Sequence, residues 1–421
     1  MNPTQESTPR VPGKITARCC IVGGGPAGMM LGYLLARAGI DTVVLEKHAD
    51  FLRDFRGDTV HPSTLTVLGE LGLLDEFLKR PHQKLTKLIG GFGERRITIA
   101  DFSRLDVTCP FIAFMPQWDF LNFLSGKCAA FPHFRLEMQA EVVDLLRDGD
   151  QIAGVRAKTP RGPLEVRAHL TVGCDGRHSL VRGRAGLEVR EMGAPIDVLW
   201  FRTRRSATEF DETFTHFEAG RALITIDRGD YWQCAYVIPK GKFDEVKKLG
   251  LETFRRNIAE TAPALRAHVG DITTWDDVKL LTVTVDRLTR WSRGGLLCIG
   301  DAAHAMSPVG GVGINLAIQD AVAAANLLAA KLLRRNLNER DLEAVKRRRQ
   351  LPTRLTQALQ ILIQDRVVAP VITGKNPKLK PPLPLRLVGA FPWLQVITAR
   401  LVGLGFRPEH IRSPEAAAPR R

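Results

Sequence analysis

A glycine-rich turn between two short apolar runs constrains this chain more than any other feature. Ile15 to Val22 reads as a buried strand, and Gly23-Gly24-Gly25-Pro26-Ala27-Gly28 follows it at once. Ala27 to Ala38, rich in Ala, Leu and Met, reads as a helix and stops at Gly39, a residue favoured just past a helix end. Thr42 to Leu45 is a short β-branched run, and Glu46 closes it 18 residues after Gly28. Strand, tight turn, helix and strand in this order open a dinucleotide-binding fold. Gly23 permits the turn, Gly25 lets the backbone approach a pyrophosphate, and Gly28 lets the helix pack closely on the sheet. Phosphates then sit at the helix N-terminus, where free N–H groups and the helix dipole favour negative charge. A carboxylate at Glu46 accepts hydrogen bonds from a ribose and disfavours a 2′-phosphate, so the segment suits the ADP part of FAD or NAD.

Two later segments extend the pattern. Val172-Gly173-Cys174-Asp175-Gly176-Arg177-His178-Ser179-Leu180-Val181-Arg182 is one. The other is Leu297-Cys298-Ile299-Gly300-Asp301-Ala302-Ala303-His304, running on through Pro308 to Gly310-Gly311-Val312-Gly313-Ile314-Asn315. Together the three suit a flavin dinucleotide held at both ends. Gly90-Gly91-Phe92-Gly93 lacks a following helix and reads as a loop. The chain therefore shows one dinucleotide fingerprint, and a nicotinamide cofactor is expected to bind transiently across the surface.

At 421 residues the chain has room for two or three domains. The seven cysteines lack zinc-type spacing, and adjacent Cys19 and Cys20 fall inside the first strand, which suits reduced thiols in a cytoplasmic setting. The ten histidines form no metal-binding motif, so no metal is expected. Met1 to Gly13 reads as a disordered lead-in without a secretory signal, and Leu387 to Ala399 is too short to span a bilayer. Of the net charge of +15, residues 331–421 carry +13, from 19 basic and 6 acidic residues. The body is nearly neutral and the tail basic. The tail shows no aromatic interleaving or recognition motif, which argues against nucleic acid.

The fold class expected is α/β: a Rossmann-like nucleotide domain, an inserted antiparallel sheet and a helical tail. The nucleotide domain is assigned residues 15–84, 131–190 and 286–345. The inserted sheet is assigned 85–130 and 191–285, and the basic helical tail 346–421. Helices are expected over 62–79, 117–130, 243–258 and 317–333.

On the glycine fingerprint, the Asp175-Gly176 segment and the Gly300-Asp301 segment with its downstream glycines, the chain resembles the class A flavin-dependent aromatic hydroxylases. This is the group typified by para-hydroxybenzoate hydroxylase. The likeness runs from about residue 15 to 345 and implies a nucleotide-binding domain whose inserted β-sheet roofs the substrate pocket. It implies non-covalent FAD held by Gly23, Gly25, Pro26, Ala27, Gly28, Glu46 and Lys47. Arg56 and Gln117, with Phe120 and Leu124 behind the latter, match cofactor-contacting positions. Asp175 and Arg182 belong to a segment tied to both FAD and the pyridine nucleotide. Asp301 matches the aspartate on the ribityl chain, Pro308 the proline beside the isoalloxazine, and Gly310, Gly311, Gly313, Ile314 and Asn315 the loop at the pyrimidine edge. His304 reads as structural.

The resemblance further implies NAD(P)H and O2 as co-substrates and a flavin C4a-hydroperoxide that hydroxylates an aromatic, quinone or polyketide-like molecule. The cofactor carries the hard chemistry, so no nucleophile or triad is needed, and no general base is assigned. Trp200, Arg202, His216, Trp232 and Gln233 are candidate pocket residues, with ordinary sheet packing the alternative for each. Other readings are an isoprenoid-lipid reductase, a non-catalytic FAD-binding regulator and a flavin halogenase. The halogenase is expected to show WxWxIP, where this chain has Cys234-Ala235-Tyr236-Val237-Ile238-Pro239. Leu383 to Phe406 carries only Arg386 and Arg400 as charges. It suits either an anionic membrane surface or packing on the body or a second copy in a homodimer.

Overall fold

The computed structural model describes residues 13–52, 59–93, 95–205, 214–218, 220–374 and 381–416. Arg56 and the basic cluster Lys375 to Lys380 lie outside them. The larger sheet places five parallel strands side by side, in the order Leu296–Cys298, Gly162–Gly173, Gly13–Val22, Thr42–Leu45 and Phe134–Glu137. The hairpin Glu141–Asp148 and Gln151–Thr159 adds antiparallel strands to Gly162–Gly173. The central strands are apolar through most of their buried length, Thr42 and Thr171 being buried polar exceptions, as a sheet covered on both faces requires. The helices Pro26–Arg37 and Gly313–Arg334 pack on each other and on this sheet in one core. Gly313–Arg334 has the length and apolarity to cross a membrane, but it is a core helix and mostly buried.

The second sheet has seven strands in the order Lys279–Leu281, Ile196–Arg204, Tyr231–Pro239, Arg221–Asp227, Phe214–Glu218, Lys87–Phe92 and Arg95–Asp101. All pair antiparallel except Phe214–Glu218 with Lys87–Phe92. Both of its faces are covered. Leu199, Phe201, Trp232, Cys234 and Tyr236 pack under the helix Leu251–Thr261. Val198, Ala222, Ala235 and Val237 pack instead on Val368, Val371 and Ile372 from the C-terminal region.

Several expectations change in detail. The first strand begins at Gly13, inside the expected lead-in. Gly90 and Gly91 lie in a strand rather than a loop, paired on both sides, and a side chain on Gly90 would press on Ile99, at 2.9 Å. The helix expected over 62–79 breaks at Gly72 (φ 69°), and that over 243–258 breaks at Gly250 (φ 85°). The helix Gln117–Cys128, assigned to the inserted sheet, packs by Phe120 and Phe123 on Phe77 in the larger core. The assigned boundary at 345 falls inside the continuous helix Glu339–Ile363, which an Asn338–Asp341 capping box starts. That helix runs through a π-turn at Gln364–Val368 into Ala369–Thr373, so the tail begins as a strut joining both sheets.

Candidate flavin site

The three motifs leave the carboxyl ends of adjacent parallel strands, where open α/β sheets place their ligands. Their contacts leave no room for side chains. Gly23 has φ 107°, and a Cβ there would sit 2.4 Å from the Cys174 carbonyl oxygen of the second motif. A Cβ on Gly28 would sit 2.0 Å from the Gly23 carbonyl. Gly300, at φ 60°, faces Ala27 and Ala317 at 3.2 and 3.4 Å, joining the third motif to the first. Three distant stretches thus converge on one spot.

That spot fits an FAD. The helix Pro26–Arg37 has no side-chain cap and no acidic residue in its first turn, and a Cβ on Gly25 would meet open space. The N-terminus of Gly313–Arg334 is likewise uncapped, and Gly313 borders open space. Uncapped helix starts leave N–H groups for an external anion. Glu46, 8% exposed, accepts from the Gly24 N–H (2.9 Å) and the His48 N–H (3.0 Å), so it braces the turn. Lys47 projects to solvent.

Other side chains position the backbone. Asp175 accepts from Ser179 Oγ (2.5 Å) and the Val181 N–H (3.0 Å), spending its carboxylate on the helix Leu180–Arg184. Burial pushes Asp175 up, against those hydrogen bonds. Arg182 donates to Asp286 and to the Ala302 carbonyl, tying the second motif to the third. Asp301 stays partly exposed, with the Arg177 guanidinium 3.8 Å away. Beyond Pro308 the chain turns through Gly310 (φ 78°) and Gly311 (φ 64°), where Thr59 Oγ donates to the Gly311 carbonyl at 2.6 Å. Asn315 is buried. Its side-chain oxygen accepts from the His61 N–H (3.0 Å) and Thr64 Oγ (2.7 Å), pinning the helix Pro62–Glu70 to this loop. Ile314 is buried in the core. Gln117 opens its helix half-buried, with Phe120 and Leu124 fully buried behind it.

The structural reading of His304 matches its contacts. Its Nε2 lies 2.6 Å from Asp320, which also accepts from the Gly300 N–H (3.0 Å) and Arg349 Nε (2.9 Å). Burial opposes charge on Asp320, but His304 and Arg349 outweigh it and hold the carboxyl below its usual range. Arg349 reaches on to Glu409 and the Arg407 carbonyl. Sequence reasoning missed this centre, and also a ladder on the strut. Gln357 donates to the carbonyls of Asp286 and Ala305, Gln360 to those of Ser307 and Val309, and Gln364 to Ser307 Oγ. The signal was present as amides at i, i+3 and i+7, one helical face.

The five candidate pocket residues divide by strand register. Trp200 pairs with Ala235, and Arg202 and Ile226 with Gln233, so these share the face covered by the tail. Trp232 pairs with Thr203, and His216 with Leu223, on the opposite face under Leu251–Thr261. Trp232 and His216 therefore point away from the flavin loop. Trp200 and Ile224 pack with Phe114, Val396 and Val402, and Val402 also touches Met306, Val312 and Leu316. The inner face thus reaches the flavin loop through the tail.

A family model described as an FAD binding domain matches residues 16–358. The chain belongs to this family. It is 32% identical over 386 residues to 6-methylpretetramide 4-monooxygenase of Streptomyces rimosus, covering 91% of each chain. It is 30% identical to anhydrotetracycline monooxygenase of Streptomyces rimosus, over 72% of this chain and 60% of that longer protein. The OxyS anhydrotetracycline hydroxylase structure from Streptomyces rimosus superposes with a TM-score of 0.71 at 25% identity, covering 96% of this chain and 78% of that one. The chain spans about three-fifths of the length of several such curated relatives. It is an FAD-dependent oxidoreductase of the monooxygenase class, with NAD(P)H and O2 as its co-substrates.

Proposed function

We propose that this monooxygenase hydroxylates a fused-ring, polyketide-like aromatic compound bound between the flavin loop and the inner face of the seven-stranded sheet. The observation that carries the reading is the meeting of the three motifs at one end of the parallel sheet, beneath an apolar roof containing Trp200, Ile224, Phe114 and Val402. Relatives named for tetracycline-type substrates support the substrate class. Bound FAD supplies hydride acceptance from NAD(P)H and activation of O2. The chain's residues do the rest. The N–H groups at the starts of the helices Pro26–Arg37 and Gly313–Arg334 hold negative charge on the pyrophosphate and the ring. Gly310 and Gly311 let the backbone approach the ring edge, and Thr59 and the glutamine ladder fix that loop. The roof excludes water around the reacting atoms.

The test is NAD(P)H consumption by the FAD-loaded chain in air, with and without a polycyclic phenol. Stimulated, oxygen-dependent consumption giving a product one oxygen atom heavier supports the reading. A ligand consumed without O2 or without gain of oxygen refutes it. Seven free cysteines, six of them buried, support a reducing cytoplasmic location. The basic C-terminal region supports peripheral membrane contact, with packing of a second copy on the same surface as the rival reading.

A further inference from the structure

The helices Leu383–Ala390 and Pro392–Gly403 form a V bent by 109°. Its inner side is tightly seated on the edge strand Arg95–Asp101. A Cβ on Gly389 would stand 2.7 Å from Ile97, and one on Gly403 would be in tight contact with Pro62 and Phe102, at 3.2 and 3.3 Å. Thr398 Oγ donates to the Ile99 carbonyl, and Ala399 is fully buried. The pair cannot roll over to hide its other side. That outer side carries Leu383 (64% exposed), Leu387, Phe391, Trp393 (60%) and Ile397. The spacing is i, i+4 on each arm, with the Phe391 and Trp393 rings 6.4 Å apart at the bend. Five large exposed apolar residues in one run are an interaction surface rather than scattered singles.

Charge selects the occupant. From Arg366 to Pro408 the sequence holds seven Lys or Arg and not one Asp or Glu. Exposed Arg386 lies between Leu383 and Leu387, exposed Arg400 follows Ile397, and exposed Arg95 lies on the strand beneath. An apolar ridge with an interfacial tryptophan and a cationic rim matches the headgroup boundary of an anionic bilayer. A second copy of this surface would instead bring like charges together.

We infer that the V of residues 383–403 docks the enzyme on anionic lipid, with Leu383, Leu387, Phe391, Trp393 and Ile397 entering the interface and Arg386 and Arg400 meeting headgroup phosphates. This deepens the peripheral-membrane reading above and gives it a purpose. The inner side of the second arm, through Val396, Ala399 and Val402, belongs to the cluster containing Trp200 and Phe114. The arm that touches the bilayer also packs on the proposed roof of the substrate space, so an apolar polycyclic substrate concentrated in the membrane lies close to that roof.

Co-flotation of the FAD-loaded chain with phosphatidylcholine vesicles, with and without phosphatidylglycerol, tests this without substrate. Flotation is expected only with the anionic lipid and is weakened by salt. Arg386→Gln with Arg400→Gln lowers partitioning by roughly tenfold or more. Leu387→Glu with Trp393→Glu abolishes it while flavin absorbance and NAD(P)H oxidation in lipid-free buffer stay unchanged. Wild-type chain that stays unbound, or variants that float like the wild type, overturn the inference. So does a salt-stable dimer that the glutamate pair splits into monomers, since the surface then belongs to a second copy. Turnover in lipid-free buffer reports on the monooxygenase reading separately.

Discussion

The carboxyl end of the parallel sheet and the inner face of the seven-stranded sheet are the two sides of the proposed substrate space, yet they are built by opposite means. At the first, function lies in the backbone. A Cβ on Gly23 would strike the second motif, one on Gly28 would strike the turn of its own motif, Gly300 holds a φ of 60° close against Ala27, and phosphate-binding capacity comes from uncapped helix starts. At the second, function lies in which side chains a strand register turns inward, and the covering helices leave both faces apolar. A backbone device tolerates almost no substitution, whereas a side-chain surface can be retuned residue by residue.

The sharpest break in this contrast is Gly23→Val. It places a branched side chain where φ is 107° and a Cβ already lies 2.4 Å from the Cys174 carbonyl oxygen. A cost of about 3 kcal/mol or more is expected, taken directly from the junction of the first two motifs. The purified variant should be colourless, or hold FAD at least about a hundredfold more weakly by fluorescence titration. Retention of wild-type flavin absorbance would remove the close-approach argument.

Asp320→Ala should follow. It leaves buried Arg349 with Glu409 as its one remaining carboxylate partner and frees both His304 and the Gly300 N–H. Breaking a buried pair in this way costs about 3–5 kcal/mol. Urea unfolding should show that loss, with earlier proteolysis of residues 404–416, which Arg349 anchors through Arg407 and Glu409.

The third expectation concerns pH. Burial lowers the His61 pKa to about 4, against partial support from backbone acceptors at Val402 and Gly311. Burial, with Arg96 nearby, likewise takes His216 to about 4. Each histidine is harder to protonate in the folded chain than unfolded, where the pKa is about 6.5. Stability from these groups is therefore complete above pH ~6.5 and falls as pH drops towards ~4, by up to about 3 kcal/mol for His61. His61→Gln should flatten the slope of urea midpoint against pH in that window. An unchanged slope would show that other groups carry the acid sensitivity.

Trp200 and Trp232 separate the two faces of one sheet. Trp232→Phe opens space under Leu251–Thr261, at a cost of about 2 kcal/mol, and should leave the KM for an aromatic substrate unaltered. Trp200→Phe, at a half-buried position beside Phe114 and Val402, should cost under about 1 kcal/mol and shift KM several-fold. Reversed outcomes would mean that the register does not decide which face meets substrate.

The same contrast explains what the sequence made legible. Glycine needs are local, so the three motifs could be located without coordinates. The sequence could not say which residues of the roof strands face inward. Leu199 to Phe201 and Cys234 to Ile238 are apolar on both sides, so alternation carries no direction and His216 and Trp232 were grouped with Trp200. The Asp320–His304–Arg349 centre was invisible for another reason. Its members are 16 and 29 residues from Asp320 and meet only once the strut has packed. The glutamine ladder resembles the polar face of a solvated helix, and burial alone reveals its purpose.

The smallest expected effect tests the resolution of motif reading itself, at two neighbouring residues. Glu46 and Lys47 were both assigned to the cofactor, but only Glu46 turns back into the glycine turn. Glu46→Gln keeps an acceptor for the Gly24 N–H yet loses the charge that strengthens it and repels a 2′-phosphate. FAD affinity should fall about tenfold, near 1.4 kcal/mol. Lys47→Ala removes an exposed side chain and should change affinity by less than about 0.5 kcal/mol. Titration of both apoproteins with FAD decides the matter. Equal losses would mean that Lys47 reaches the pyrophosphate when FAD is present, and that the strand end contributes charge of both signs to the site.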